Sequence, residues 1–166
     1  YKIGSASREA LVIKPGDEKV EFHPELVRED IPKLFGQALK LRQVSAAGDA
    51  SVEMELNASG NVNFDFGRYG VEFVASPRHA DGVVITGPIS KNMAEALDIC
   101  YHSIPEPKLV IVCGSEACSG GLFSESKAVN REFLNKYKVD LWLPGTPTHP
   151  MTFIDGVMNM LSLKKR

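Results

Sequence analysis

The stretch "DGVVITGPISKNMAEALDICYHSIPEPKLVIVCGS", Asp81 to Ser115, decides the fold. It opens on a short β-rich run that stops at Gly87 and Pro88. Met93, Ala96, Leu97, Cys100 and Tyr101 then recur at helical spacing. Ser90 is placed to cap that helix and Pro105 to stop it. A second apolar run, "KLVIVCGS", follows and again ends in Gly and Ser. Strand, helix and strand in succession, with strands that are apolar almost throughout, predict parallel pairing in a sheet covered on both faces.

The same rhythm extends outward. "YGVEFVAS" precedes the stretch and "VDLWLPGT" follows it, so the sheet is expected to hold about four strands. "HPMTFIDGVMNMLSLKKR" closes the chain as a helix whose Phe153, Ile154, Val157, Met158 and Leu161 share a face. Its terminal "KKR" suits the negative end of the helix dipole and reads as a solvated end. Residues 1–44 are harder to read. "ALVIKPGDEKVEF" suggests a hairpin turning at Pro15-Gly16-Asp17. In "REDIPKLFGQALK", Asp30 and Pro32 suit a helix start, and Leu34, Phe35, Ala38 and Leu39 recur at helical spacing.

In a parallel sheet of this kind, ligands bind outside the C-terminal ends of the strands. The loops expected there are "ASPRHAD", "TGPISKN", "GSEACSGG" and "PGTPTHP", all rich in Gly, Pro, Ser and Thr.

Composition removes several function classes. The net charge is −2 and the chain has no basic block before its last three residues, so a nucleic-acid surface is not expected. No apolar run reaches the roughly eighteen residues needed to span a bilayer. "YKIGSASREA" lacks the apolar centre of a signal peptide, and the missing initiator Met leaves open that the chain is a fragment. Cys100, Cys113 and Cys118 form no C-x-x-C pair, which argues for a reducing compartment rather than a disulfide framework. There is no phosphate loop, no dinucleotide fingerprint and no recognisable nucleophile–base spacing. An independent hydrolase or transferase is not expected.

Taken together, "RYGVEFVASPRHADGVVITGPISKNMAEAL", "PEPKLVIVCGSEACSGGLF" and "LPGTPTHP" resemble, in order, the landmarks of one family. It is the small subunit shared by respiratory complex I, as its 20 kDa subunit, and by NiFe hydrogenases. The resemblance runs from Phe35 to the C-terminus. It implies a three-layer, flavodoxin-like α/β sandwich over residues 35–166, with residues 1–34 as an N-terminal extension. It also implies a 4Fe-4S electron-transfer role beside the large subunit of a hydrogenase-like or complex-I-like assembly. The place implied is the cytoplasmic face of a membrane, with membrane contact only through the complex.

The family holds its cluster with four cysteines, two of them in a motif like V-D-A-G-S-C-N-G-C-E-x-E-I-N-A. Here "VSAAGDASVEMELNA" puts Asp49 and Val52 at those places. The third falls on Glu116 of "GSEA" and the fourth on Thr146 of "PGTPT". Iron–sulfur clusters need soft thiolate ligands. Two carboxylates, an alcohol and an alkyl chain are no substitute, and carboxylate and alcohol oxygens suit hard cations. Cys118, two positions past the third place, is a single displaced thiol. The expectation is therefore a cluster-free, non-catalytic structural or assembly component with no cofactor. Two alternatives remain open at this point. One is a genuine iron–sulfur electron-transfer subunit; the other is a protein binding a hard cation or small ligand through Asp49, Ser51, Glu116 and Thr146.

The pocket and partner-facing positions are expected to be Arg68, Arg78, His79, Gly114, Cys118, Gly120, Gly121, Leu122, Phe123 and His149. Arg68 and Arg78 are expected to pair with acids such as Asp49 or Glu116. His79 and His149 read as solvated or hydrogen-bonded loop histidines. Cys100 and Cys113 read as buried structural thiols and Trp142 as core. Val52 is expected to fill the space a cluster would take, because protein interiors leave few voids.

Overall fold

A computed structural model describes residues 2–3, 21–22, 31 and 38–162. Five parallel strands form the main sheet: β1 Leu39–Ser45, β2 Val71–Phe73, β3 Gly82–Thr86, β4 Leu109–Cys113 and β5 Leu141–Leu143. Their order is β2-β1-β3-β4-β5. This is the doubly wound, flavodoxin-like order, and its direction of winding reverses between β1 and β3. Among the described residues, five helices of known extent accompany the strands: α1 Ser51–Ala58, α2 Lys91–Ser103, α3 Ser115–Ser119, α4 Glu132–Lys136 and α5 Pro150–Ser162.

The three layers follow from the alternation of side chains along the strands. On one face Leu41, Val84, Ile111 and Leu143 pack with Val52 and Leu56 of α1 and with Phe153, Val157 and Met160 of α5. On the other, Val83, Ile85, Val110 and Val112 pack with Leu97 of α2, Ala117 and Cys118 of α3 and Phe133 of α4. β3 and β4 are buried at every residue, which explains why both read as unbroken apolar runs.

The sheet has five strands, one more than expected. The extra strand is β1, "LKLRQVS", whose start lies in the region expected to be helical. Local spacing puts Leu39 on a helical face with Leu34, Phe35 and Ala38. In the structure Leu39 and Leu41 are fully buried while Lys40 between them is exposed, the period-two pattern of a strand. Pairing on both sides, to β2 and to β3, outweighs local helical spacing. The hairpin expected at Pro15-Gly16-Asp17 and the helix start expected at Asp30 and Pro32 lie outside the described residues. Glu21–Phe22 pairs in parallel with Lys2–Ile3. Ile31 is fully buried in the core beneath α1 and α5.

The helix faces are close to expectation. Ser90 caps α2 by accepting a hydrogen bond from the Met93 amide at 3.3 Å. Ala94 rather than Ala96 packs inward. In α5 Met160 is fully buried and Met158 only partly so. Lys108 closes the other end of α2, its ammonium donating to the carbonyls of Tyr101 at 3.1 Å and Ile104 at 3.2 Å. A cation on the last carbonyls of a helix is favoured by the dipole.

One loop is placed differently from expectation. β2 pairs only with the first half of β1, so the "ASPRHAD" segment leaves from mid-sheet. Both its ends are tied there: the Val74 amide donates to the Leu41 carbonyl at 2.9 Å, and the Lys40 amide to Asp81 Oδ2 at 2.7 Å. The other three loops expected at the rim do lie past the C-terminal ends of their strands.

Candidate functional site

The rim is built around the point where β1 and β3 part. The loops leaving these strands touch backbone to backbone. A Cβ on Gly87 would lie 2.4 Å from the Gly48 nitrogen, and Gly87 has φ +77°, so only glycine fits. Ile89, two residues on, also lies in the left-handed region at φ 63° although it is β-branched and fully buried. Such a conformation persists only when its surroundings over-determine it. Here the Ile89 amide donates to the Ala46 carbonyl at 2.9 Å, and its carbonyl accepts from the Asn130 amide at 2.8 Å.

Beneath these loops sits Glu53, in the first turn of α1, where a carboxylate suits the helix dipole. Its Oε1 accepts from Ser45 Oγ at 2.5 Å and from Thr86 Oγ1 at 2.7 Å. These hydroxyls close β1 and β3, so one carboxylate ties the two diverging strands together. Sequence reasoning did not single out Glu53. The available signal was a hydroxyl residue at the end of each of two neighbouring strands, with an acid in the helix that follows the first.

The four positions at which the family resemblance places cluster ligands come together from three loops. Asp49 is exposed, and its Oδ1 accepts from the Ser51 hydroxyl at 2.5 Å and the Ser51 amide at 2.9 Å. These two bonds, the hydroxyl first, hold its carboxyl below the usual carboxylate range. Val52 is buried, and its Cγ2 lies 2.8 Å from where a Cβ on Gly114 would stand. Gly114, at φ +98°, therefore lets Val52 close directly over the end of β4.

Glu116 is partly buried in α3. Its Cγ lies 3.0 Å from a Cβ built on Gly121 and its Oε2 3.7 Å from one built on Gly48. Among the described residues its carboxylate takes no hydrogen bond or ion pair, so the pairing expected with Arg78 or Arg68 is not formed. Arg68 instead donates to the Tyr69 hydroxyl at 2.8 Å and lies 4.8 Å from the centre of that ring. Arg78 and His79 are exposed on the "ASPRHAD" segment. The cation beside Glu116 is Arg131, another residue the sequence did not flag. Its guanidinium donates to the backbone carbonyls of Ala117 at 2.9 Å and Cys118 at 2.8 Å, fixing the α3 turn from outside.

Thr146 is exposed. Its loop is stitched to that of Glu116: the Ser115 amide donates to the Gly145 carbonyl at 2.7 Å, and the Gly145 amide to Ser115 Oγ at 3.1 Å. His149 starts α5, its Nδ1 accepting from the Met151 amide at 3.2 Å and its ring edge-on to Phe64. That acceptor role leaves the proton of the neutral ring on Nε2. Gly120 and Gly121, both at positive φ, form the turn that carries Leu122 and Phe123 into solvent.

The donor chemistry of this site does not fit a 4Fe-4S cluster. Val52 has no donor atom, Thr146 offers a neutral alcohol, and the Asp49 carboxylate is engaged by Ser51. Burial pushes the Cys113 thiol up to about 12 and the Cys118 thiol higher still, so neither supplies a thiolate near neutral pH. Cys100 is half-buried, and its thiol is also raised by burial. Among the described residues no three His, Cys, Asp or Glu side chains are grouped closely enough to hold a metal ion.

Comparison with known proteins places this geometry in context. Residues 50–160 match the family described as NADH ubiquinone oxidoreductase, 20 Kd subunit. A subunit of the NADH-quinone oxidoreductase of Desulfovibrio desulfuricans is 42% identical over 113 residues, which is 68% of this chain and 61% of that protein. The chain thus spans less than two thirds of that relative. The probable membrane-bound hydrogenase subunit mbhJ of Pyrococcus furiosus is 32% identical over 133 residues, covering 80% of this chain and 78% of that one. Among solved structures, a chain of an archaeal membrane-bound sulfane sulfur reductase superposes with TM-score 0.67 at 24% identity, covering 87% of this chain and 77% of its own. A chain of an NAD+-reducing NiFe hydrogenase does so with TM-score 0.55 at 17% identity, covering 75% and 91%. At these identities the two superpositions speak for the fold.

Proposed function

The chain belongs to the NADH ubiquinone oxidoreductase 20 kDa subunit family, and from that premise we propose that it is a cluster-free member serving as a non-catalytic structural or assembly component of an oxidoreductase complex. The observation that carries the reading is Val52. At a position where the family resemblance calls for a thiolate, this chain has an alkyl side chain buried in the core and packed onto Gly114. The other three positions add two carboxylates and an alcohol, which are hard donors. The backbone scaffold around them is nevertheless ordered, through the Ser115–Gly145 pair and the Arg131 bonds. A chain that keeps the scaffold without the ligands keeps what a partner would recognise.

The partner proposed is the large subunit of a hydrogenase-like or complex-I-like assembly. The named relatives are subunits of a quinone oxidoreductase and of a membrane-bound hydrogenase. No helix among the described residues is long and apolar enough to cross a membrane. A membrane location would then come through the complex, at its cytoplasmic face.

The test is anaerobic purification of the tagged chain from its native host, followed by iron and acid-labile sulfide analysis. The expected result is a chain that brings down a large-subunit homologue and adds no iron or sulfide to the total. Stoichiometric iron and sulfide on this chain would overturn the cluster-free reading and favour electron transfer. A chain that co-purifies with no such subunit would overturn the structural role.

A further inference from the structure

We infer that the segment between Gly121 and Tyr137 is a flap that swings away from the fold as one body, releasing the α3 turn and uncovering Cys118 while the sheet stays intact. The inference does not depend on what the chain assembles with.

The first observation is how little apolar surface holds the segment down. Leu122 to Ala128 are all exposed. Phe133 is its one buried hydrophobic side chain, with Leu134 and Tyr137 packed partly beside it. β3 and β4, by contrast, are buried at every residue. Segments with few buried contacts and exposed backbone bonds come away before the core does.

The second is that the segment is attached at separate polar points. Near its middle it lies along the loop that leads into α2. The Lys91 amide donates to the Ala128 carbonyl and the Asn130 amide to the Ile89 carbonyl, both at 2.8 Å, with Ser90 and Val129 paired between them. Arg131 then donates to the Ala117 and Cys118 carbonyls of α3. At the far end the Tyr137 hydroxyl and Lys136 hold Asp98 of α2. Each such bond contributes little net stability, because water replaces it when the groups part. Gly120 and Gly121, at φ 89° and 53°, stand at the join with α3, where a backbone without Cβ pivots with least steric resistance.

The third is what lies beneath. Cys118 is buried in the same cluster as Phe133. Burial raises its thiol and the Arg131 charge opposes that rise, so the guanidinium acts on the sulfur as well as on the carbonyl. When Arg131 leaves, the thiol loses its cover and α3 loses its bonds from outside. α3 is only five residues long, so those bonds weigh heavily on it. Cys113 supplies the contrast. It is fully buried in the cluster beneath α1 and α5, to which no residue of the segment belongs.

The test is alkylation of the native full chain with N-ethylmaleimide, each cysteine being followed by peptide mass spectrometry. A Cys100→Ser background silences the half-buried thiol. Maleimides take the thiolate, which neither buried thiol presents while covered. Cys118 should be labelled at least about tenfold faster than Cys113, because the flap lifts without global unfolding. Tyr137→Phe should speed Cys118 labelling about fivefold, the effect of one lost hydrogen bond. Ser90→Cys with Val129→Cys places two thiols across a facing pair, within reach of a disulfide. The oxidised form should slow Cys118 labelling at least about tenfold, and reduction of the same sample should restore the rate. Cys118 and Cys113 labelled together, at the rate of global unfolding, would overturn the inference. So would Cys118 labelling that the lock between positions 90 and 129 leaves unchanged. The comparison of Cys118 with Cys113 needs no substitution in the flap, so it decides the matter even where the locked variant does not fold.

Discussion

Val52 and Gly114 act as one steric unit. The valine closes over the end of β4 only because position 114 has no side chain, and Gly114 at φ +98° has a conformation other residues resist. Gly114→Ala should therefore cost about 2–4 kcal/mol, from backbone strain together with the collision with Val52. Val52→Ala alone should cost about 2 kcal/mol through lost burial and a small cavity. In the double variant the collision disappears, so the total should fall short of the sum of the two by at least about 0.5 kcal/mol. Urea titrations of the four proteins measure this, and strict additivity would refute the steric coupling. Thr86→Val, which takes one of the two hydroxyls from Glu53, should cost about 1–3 kcal/mol in the same assay. At this scale the sequence was legible where a residue type is out of place, as with Val52. It was not legible where an ordinary residue acquires its role through long-range contact. Glu53 meets Thr86 only after β1 and β3 pair, and Arg131 meets the α3 carbonyls only after the chain has turned back.

Elements differ in how far local pattern determines them. α2 and β4 could be read directly, the first from its cap and spacing and the second from its unbroken apolar run. β1 could not, because Leu39 satisfies both a helical and an alternating pattern and only its two partner strands decide between them. α4 is only five residues long, and side chains at its end tie it to α2. The Tyr137 hydroxyl, just past α4, donates to Asp98 Oδ1 at 2.9 Å, and Lys136 lies 3.3 Å from the same oxygen. His102 Nε2 lies 2.8 Å from the Tyr137 hydroxyl. The hydroxyl bond, then Lys136, holds the Asp98 carboxyl below its ordinary 3.8. Because the folded value is the lower one, this contribution is present above 3.8 and is lost as pH falls through the folded value. Lys136 is raised from 10.5, first by Tyr137, so its share is present below 10.5 and is lost as pH rises through its folded value. Tyr137→Phe should lower the melting temperature at neutral pH by about 2–4 °C. The gap from wild type should shrink when the melts are repeated at about pH 2.5. A gap that does not change with pH would assign the effect to ring packing alone.

For the whole molecule, strand order decided where the four dispersed positions would meet. The parallel α/β class and the rim were predictable from alternating strands and helices. The fifth strand, and with it the winding reversal between β1 and β3, came only from the pairing. The scaffold around that reversal uses backbone hydrogen bonds, glycines and Arg131, and no thiol. It should therefore accept ligands if they are supplied. A variant carrying Asp49→Cys, Val52→Cys, Glu116→Cys and Thr146→Cys should take up iron and sulfide on anaerobic reconstitution and become coloured, while the parent chain stays colourless. A quadruple variant that folds but remains colourless would show that the loops have drifted from cluster-holding geometry. The mutual bonds between Ser115 and Gly145 bear on how such a scaffold opens. Each residue's amide is hidden by the other's acceptor, so neither can reach solvent until both loops separate. Their two amide protons should exchange with deuterium at one shared opening free energy, although thirty positions of chain lie between them. In time as in space, the ends of β4 and β5 would then behave as a single hinged lip.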